Sequence, residues 1–87
     1  MAHRAELRLH ALESLSRAHR EAGHFGRSLD AALLAVAGEP LRESARREAI
    51  DTYLAEGNTV EAVRHFVEFR RLLREDLGLP PRPRCAR

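Results

Sequence analysis

Gly23 and Gly57 stand 34 residues apart, and each separates two stretches whose apolar residues recur every three or four positions. Glycine readily takes the left-handed backbone that ends a helix. Two such stops at this interval restrict the chain to paired helices of similar build. Residues 4–22 predict the first helix. Ala5, Leu9, Leu12, Ser16 and His19 share one face, and Ala11, Leu15, Ala18 and Ala22 share the next. The small side chains of that second face permit close approach of another helix. Ala11, Leu15 and Ala18, with the outer faces of Phe66 and Phe69, can serve as core or as partner surface, and core is the expectation for helices in a four-helix unit. Phe25 to about Ala37 predicts a second, shorter helix carrying Phe25, Leu29, Ala32, Leu33 and Val36 on one side, with Gly38 and Pro40 bracketing its end.

The central helix is expected from Pro40 to about Glu56. Proline is tolerated in a first helical turn, where its missing N–H has no helical partner. Glu39 and Glu43 would lie at the positive end of the helix dipole. Leu41, Ala45, Ala49 and Tyr53 form one apolar stripe and Ile50 with Leu54 adjoins it, which implies packing partners on two sides. Asn58, with Glu61 three residues on, has the form of a capping box opening a fourth helix over residues 59–77. Ala62, Phe66, Phe69 and Leu73 make its main stripe, with Val60, Val63 and Val67 beside it. Gly78 is placed to end this helix, and Pro80 to prevent its continuation. No segment alternates in the manner of a strand. The expected fold is all-α: four antiparallel helices in two pairs over residues 1–79, followed by a flexible Pro/Arg tail over residues 80–87.

The two pairs resemble the tetratricopeptide pattern. In the first unit Gly23, Phe25, Ser28, Ala32, Ala35 and Glu39-Pro40 fall at the expected places. In the second, Gly57, Ala62 and Phe66 match, whereas Phe69 replaces a small residue and no proline closes the unit. Two pairs are fewer than the roughly three that make a self-sufficient stack. A chain of 87 residues also buries only about 60–65% of its unfolded surface. One end of the stack is therefore expected to offer apolar surface to a neighbour.

The ordered set Leu9, Ala11-Leu12-Glu13, Leu15, Ala22-Gly23, Pro40-Leu41-Arg42-Glu43, Tyr53-Leu54-Ala55-Glu56-Gly57, Glu61-Ala62 and Phe69 to Pro80 resembles the bacterial transcriptional activator domain of SARP-type regulators. The likeness spans roughly residues 6 to 83. It implies a tetratricopeptide-like module that works without catalysis, through self-association, including a homodimer, or through contact with other regulator domains or the transcription machinery. Family members carry a winged helix-turn-helix domain ahead of this module, and the chain resembles the C-terminal part of the module alone. A stand-alone adaptor that binds a peptide or protein partner without a transcriptional role is the alternative expectation.

Charge argues against direct contact with nucleic acid. Residues 1–76 hold 12 arginines and 13 acids, so the helical body is balanced, and Arg82, Arg84 and Arg87 supply the net positive charge. Arg70, Arg71 and Arg74, joined by Arg82 and Arg84, form a basic edge that could meet phosphate or an acidic partner. The same arginines can instead pair with Glu68, Glu75 and Asp76 on a solvated face, the reading that charge balance favours.

The sequence holds no metal-ligand spacing. His3, His10, His19, His24 and His65 include no i,i+4 pair, and Cys85 is the single cysteine. The five glycines are placed at helix ends and turns rather than in a phosphate loop. No catalytic residue, cofactor or metal is expected. No apolar run approaches the roughly 20 residues that span a bilayer, and the start of the chain does not read as a signal peptide, so a cytoplasmic location is expected. The structural signature is Gly23, Pro40, Gly57, Ala62, Phe66, Phe69 and Gly78.

Overall fold

The computed structural model describes residues 2–79, with side chains from Arg4 onward. The predicted tail over residues 80–87 lies outside the described residues. Four helices follow one another: α1 (Ala2–Glu21), α2 (Phe25–Gly38), α3 (Glu43–Ala55) and α4 (Thr59–Asp76). Among the described residues there is no strand, and no helix long and apolar enough to cross a membrane. α1 and α2 form the first hairpin, α3 lies across both, and α4 folds back on α3 alone.

The glycine punctuation is confirmed in detail. Gly23, Gly57 and Gly78 have φ of 81°, 82° and 73°. Each closes its helix with the same pair of backbone hydrogen bonds. Gly23 N–H donates to Arg20 O at 3.0 Å and His24 N–H to His19 O at 2.8 Å. The equivalent bonds run from Gly57 to Leu54 and Asn58 to Tyr53, and from Gly78 to Glu75 and Leu79 to Arg74. These are Schellman closures, in which a left-handed residue lets orphan carbonyls be satisfied. Asn58 caps α4 by accepting from Glu61 N–H at 3.3 Å. The capping box is only half made, because the Glu61 carboxylate takes Arg64 at 2.8 Å instead.

Two boundaries differ from the sequence expectation. Gly38 is the last residue of α2 rather than a breaker beyond it. A Cβ there would meet Leu9 Cδ2 at 3.1 Å, so the glycine allows α2 to end close against α1. Pro40 is not in the first turn of α3. It occupies a turn closed by Arg42 N–H to Glu39 O at 3.0 Å, and α3 begins at Glu43. Proline's fixed φ suits the second position of such a turn as well as it suits a helix start. Local sequence does not separate the two.

The interior is built of small and polar side chains. Ala32, Ala35, Ala45 and Ala49 are fully buried, and the largest fully buried side chains are Thr52, Ser16 and Ser28. Leu9, Ala35 and Ala45 form the apolar centre, with Leu12 and Val36 packed on it. Alanine and serine let helices approach closely, at the cost of a thin apolar core. The larger hydrophobics are left outside. Ala11, Leu15 and Ala18, expected mainly in the core, are exposed on the outer side of α1. Phe66, expected with them, is 50% exposed, whereas Phe69 is 9% exposed. The reason is topological: α4 has one packing partner, so only the face bearing Ala62 and Phe69 is covered.

A candidate interaction surface at the open end of the stack

Two polar clamps fix α3 on the first hairpin. At its start, Arg42 Nε donates to Glu13 Oε2 at 2.6 Å and Ser44 Oγ donates to the same oxygen at 2.8 Å. Arg42 also reaches Glu6 at 2.7 Å. Burial alone would raise the pKa of Glu13, but the bonds from Arg42 and Ser44, with the charge of Arg42, outweigh it and hold the carboxyl below its usual range. Further along, Glu48 of α3 receives Arg20 and Arg17 of α1, each at 2.8 Å. Between the clamps runs a thread of hydroxyls. Ser16 and Ser28 Oγ are 3.0 Å apart, Ser28 and Thr52 Oγ1 are 2.8 Å apart, and Ser28 also donates to Ser16 O at 2.7 Å. Every buried hydroxyl of this thread has a partner, so α3 has one rotational setting in its seat.

That setting decides what α3 shows on its far side. Glu48, Thr52, Ala45 and Ala49 turn inward, and Arg47, Ile50 and Leu54 face away from α1 and α2. α4 then brings Phe66, Phe69 and Leu73 alongside Ile50, making an open groove that Glu43, Arg46 and Arg47 also line. Arg46 is the unusual member, because it is only 5% exposed. Its guanidinium carbon lies 5.6 Å from the centre of the Phe69 ring. Its Nη1 is 3.3 Å from His65 Nδ1, and Nη2 donates to Pro40 O at 3.4 Å. Its Nε has no hydrogen-bond partner. Burial lowers the pKa of Arg46, with the charge of Glu68 opposing. Burial, and then the charge of Arg46, likewise lowers that of His65, whose ring centre is 5.1 Å from that of Tyr53.

The predicted basic edge is only partly assembled. Arg71 is bonded to Glu68 at 2.7 Å and to Glu75 at 2.5 Å, the solvated pairing that charge balance favours. Arg70 lies 5.8 Å from the centre of the Phe66 ring, at the rim of the groove. Arg74 is partly buried on the same helix. Arg82 and Arg84 lie outside the described residues. The other sequence-marked positions serve the fold: Gly23, Gly57 and Gly78 stop helices, Pro40 shapes the turn, and Ala62 and Phe69 seat α4. Among the described residues no group of three His, Cys, Asp or Glu side chains could hold a metal ion.

Three features were missed from sequence. Glu13 and Glu48 are buried acids, and Arg46 is a buried base facing a groove. A register comparison at the 34-residue interval carries the signal for the last, because Leu12 in the first unit is matched by Arg46 in the second. An arginine in place of a packed leucine marks a changed environment.

The model of the family described as the bacterial transcriptional activator domain matches residues 1–87. No curated protein and no solved structure matches the chain.

Proposed function

The chain belongs to the bacterial transcriptional activator domain family, and from that premise we propose that it acts as a protein-interaction module whose docking surface is the α3–α4 groove. The family is a non-catalytic, tetratricopeptide-like regulatory domain of SARP-type activators. The finer role is contact with another domain of a regulator, with the transcription machinery or with a further copy. The observation that carries it is the half-exposed Phe66 beside Ile50 and Leu73 at the end of a two-hairpin stack. Large aromatic side chains flanked by a buried arginine are the residue types that dominate protein interfaces. The exposed large hydrophobics of α4 extend this surface along Val63 and Val67.

A bacterial two-hybrid reporter tests the reading, with the chain as one partner and the remaining domains of a family regulator, or the chain itself, as the other. Phe66→Ala should lower the interaction signal severalfold while helix content by circular dichroism stays unchanged. A reporter that stays at background with every partner, or a signal indifferent to Phe66→Ala, would overturn it.

A further inference from the structure

We propose that the groove receives an amphipathic helix from a different polypeptide segment, one that carries an acid at its start and a base six residues later. This rests on the groove being a docking surface and adds the chemistry of its occupant. The residues that seat α3 on the first hairpin include Leu9, Leu12, Glu13, Ser16 and Ala35. One 34-residue interval further on stand Glu43, Arg46, Arg47, Ile50 and Phe69, and all five line the groove. The groove is therefore the next seat in the stack, and its shape is that of a site for a helix running as α3 does.

The charges of the two seats are opposed. In the first, Glu13 takes Arg42 at the start of α3, and Arg17 takes Glu48 six residues later. In the second, Glu13 is replaced by Arg47 and Arg17 by Asp51, while Glu6 and Arg20, which also hold Arg42 and Glu48, are replaced by the uncharged Pro40 and Leu54. The helix that fits must show a base to Asp51, and to Arg47 an acid that takes the place of the exposed Glu43 carboxylate now 3.0 Å from it. Buried Arg46, beside Arg47 in the same groove, adds a second positive charge on the side where that acid would sit. The hydroxyl thread is also lost, because Ser16 and Ser28 are replaced by Ile50 and Ala62. The middle of the occupant is accordingly apolar.

A second copy of this chain fits the shape but not the charge. Placed as α3 is placed, its α1 would present Ala11, Leu15 and Ala18 at the positions of Ala45, Ala49 and Thr52. It would also bring Arg8 against Arg47 and leave Ser14 opposite Asp51, so one clamp repels and the other is lost. Open head-to-tail growth is opposed in this way, which a stack with two unlike ends otherwise risks.

The test uses the full chain and two labelled peptides of residues 40–56, each held helical by a side-chain link on its outer face. One keeps the natural sequence and the other carries Arg42→Glu and Glu48→Arg. In fluorescence anisotropy the charge-exchanged peptide should bind about tenfold tighter than the natural one, with the difference shrinking at high salt. Arg47→Glu with Asp51→Arg in the chain should reverse the order. Equal affinities that both fall with Phe66→Ala would overturn the charge rule and leave the docking surface standing. Binding of neither peptide overturns the proposal, and the docking surface falls with it if the two-hybrid signal also ignores Phe66→Ala. Concentration-dependent oligomers in sedimentation, abolished by Phe66→Ala, would make a second copy the occupant.

Discussion

Arg20 of α1 reaches Glu48 of α3 with Nη1 2.8 Å from Oε1, and the same nitrogen lies 3.2 Å from Thr52 Oγ1. One arginine thus joins the charged clamp to the hydroxyl thread. The setting of α3, and with it the groove on its far side, depends on this junction.

Glu48→Ala should be among the most destabilising single changes. It strands Arg20, whose side chain is only 17% exposed, and a cost of about 2–4 kcal/mol is expected, because losing one member of a buried pair leaves the other uncompensated. Urea unfolding followed by circular dichroism measures it. A change below about 0.5 kcal/mol, the usual range for an ordinary surface substitution, would show that the clamp contributes little.

The hydroxyl thread should behave non-additively. Ser28→Ala leaves Ser16 and Thr52 without their shared partner, and about 1–3 kcal/mol is expected for orphaned buried groups. The combined Ser16→Ala, Ser28→Ala, Thr52→Val variant removes the unmet groups together and should cost clearly less than the sum of the single changes. A full set of single, double and triple variants in thermal melts decides this. Strict additivity would mean that the hydroxyls act independently.

Acid should weaken the fold through Glu13. Its folded pKa is depressed below the usual 4.5, so its contribution is fully present above that value and is lost as pH falls through the folded pKa. His65 acts nearer neutrality. Its folded pKa is also depressed, so the unfolded chain takes up a proton first and stability falls as pH drops below 6.5. Melting temperature measured from pH 7.5 downward should show both slopes. Glu13→Gln should flatten the acidic one and His65→Asn the one near neutrality; slopes that survive both substitutions would assign them to other groups.

Gly57→Ala and Gly26→Ala should have opposite signs. A Cβ at either position meets nothing within 4 Å, so sterics against neighbours do not distinguish them. Gly57 has φ of 82°, where an L side chain costs about 1–2 kcal/mol. Gly26 lies within α2, where alanine gains about 0.5–1 kcal/mol. Paired denaturation curves test the contrast. A neutral Gly57→Ala would imply that the turn relaxes without strain.

Much of the helix layout was legible because it is written locally. Apolar recurrence marked the helices, three glycines marked their ends, and Asn58 marked the start of α4; each depends on residues within about one turn of one another. Pro40 was misplaced because its fixed φ serves a helix start and a turn equally well. The interior was harder. Ser16 was placed on one face of α1 with Leu9 and Leu12, but neither Ser28 nor Thr52 was marked as its partner, since they lie 12 and 36 positions further along the chain. Glu13 and Glu48 were not singled out, because nothing within a helical turn reveals that Arg42, Arg17 and Arg20 cover them.

The sequence by itself determined the number of helices, their stops and the 34-residue interval, because backbone preference and side-chain periodicity act over a few residues. Only the tertiary structure decided which stripes are buried. With α4 packed on α3 alone, Phe69 is covered while Phe66 is left at a groove, and α3, locked by Glu13 and Glu48, turns Ile50 outward beside it. Burial is a property of which helices meet, and that depends on the clamps between residues far apart in the chain.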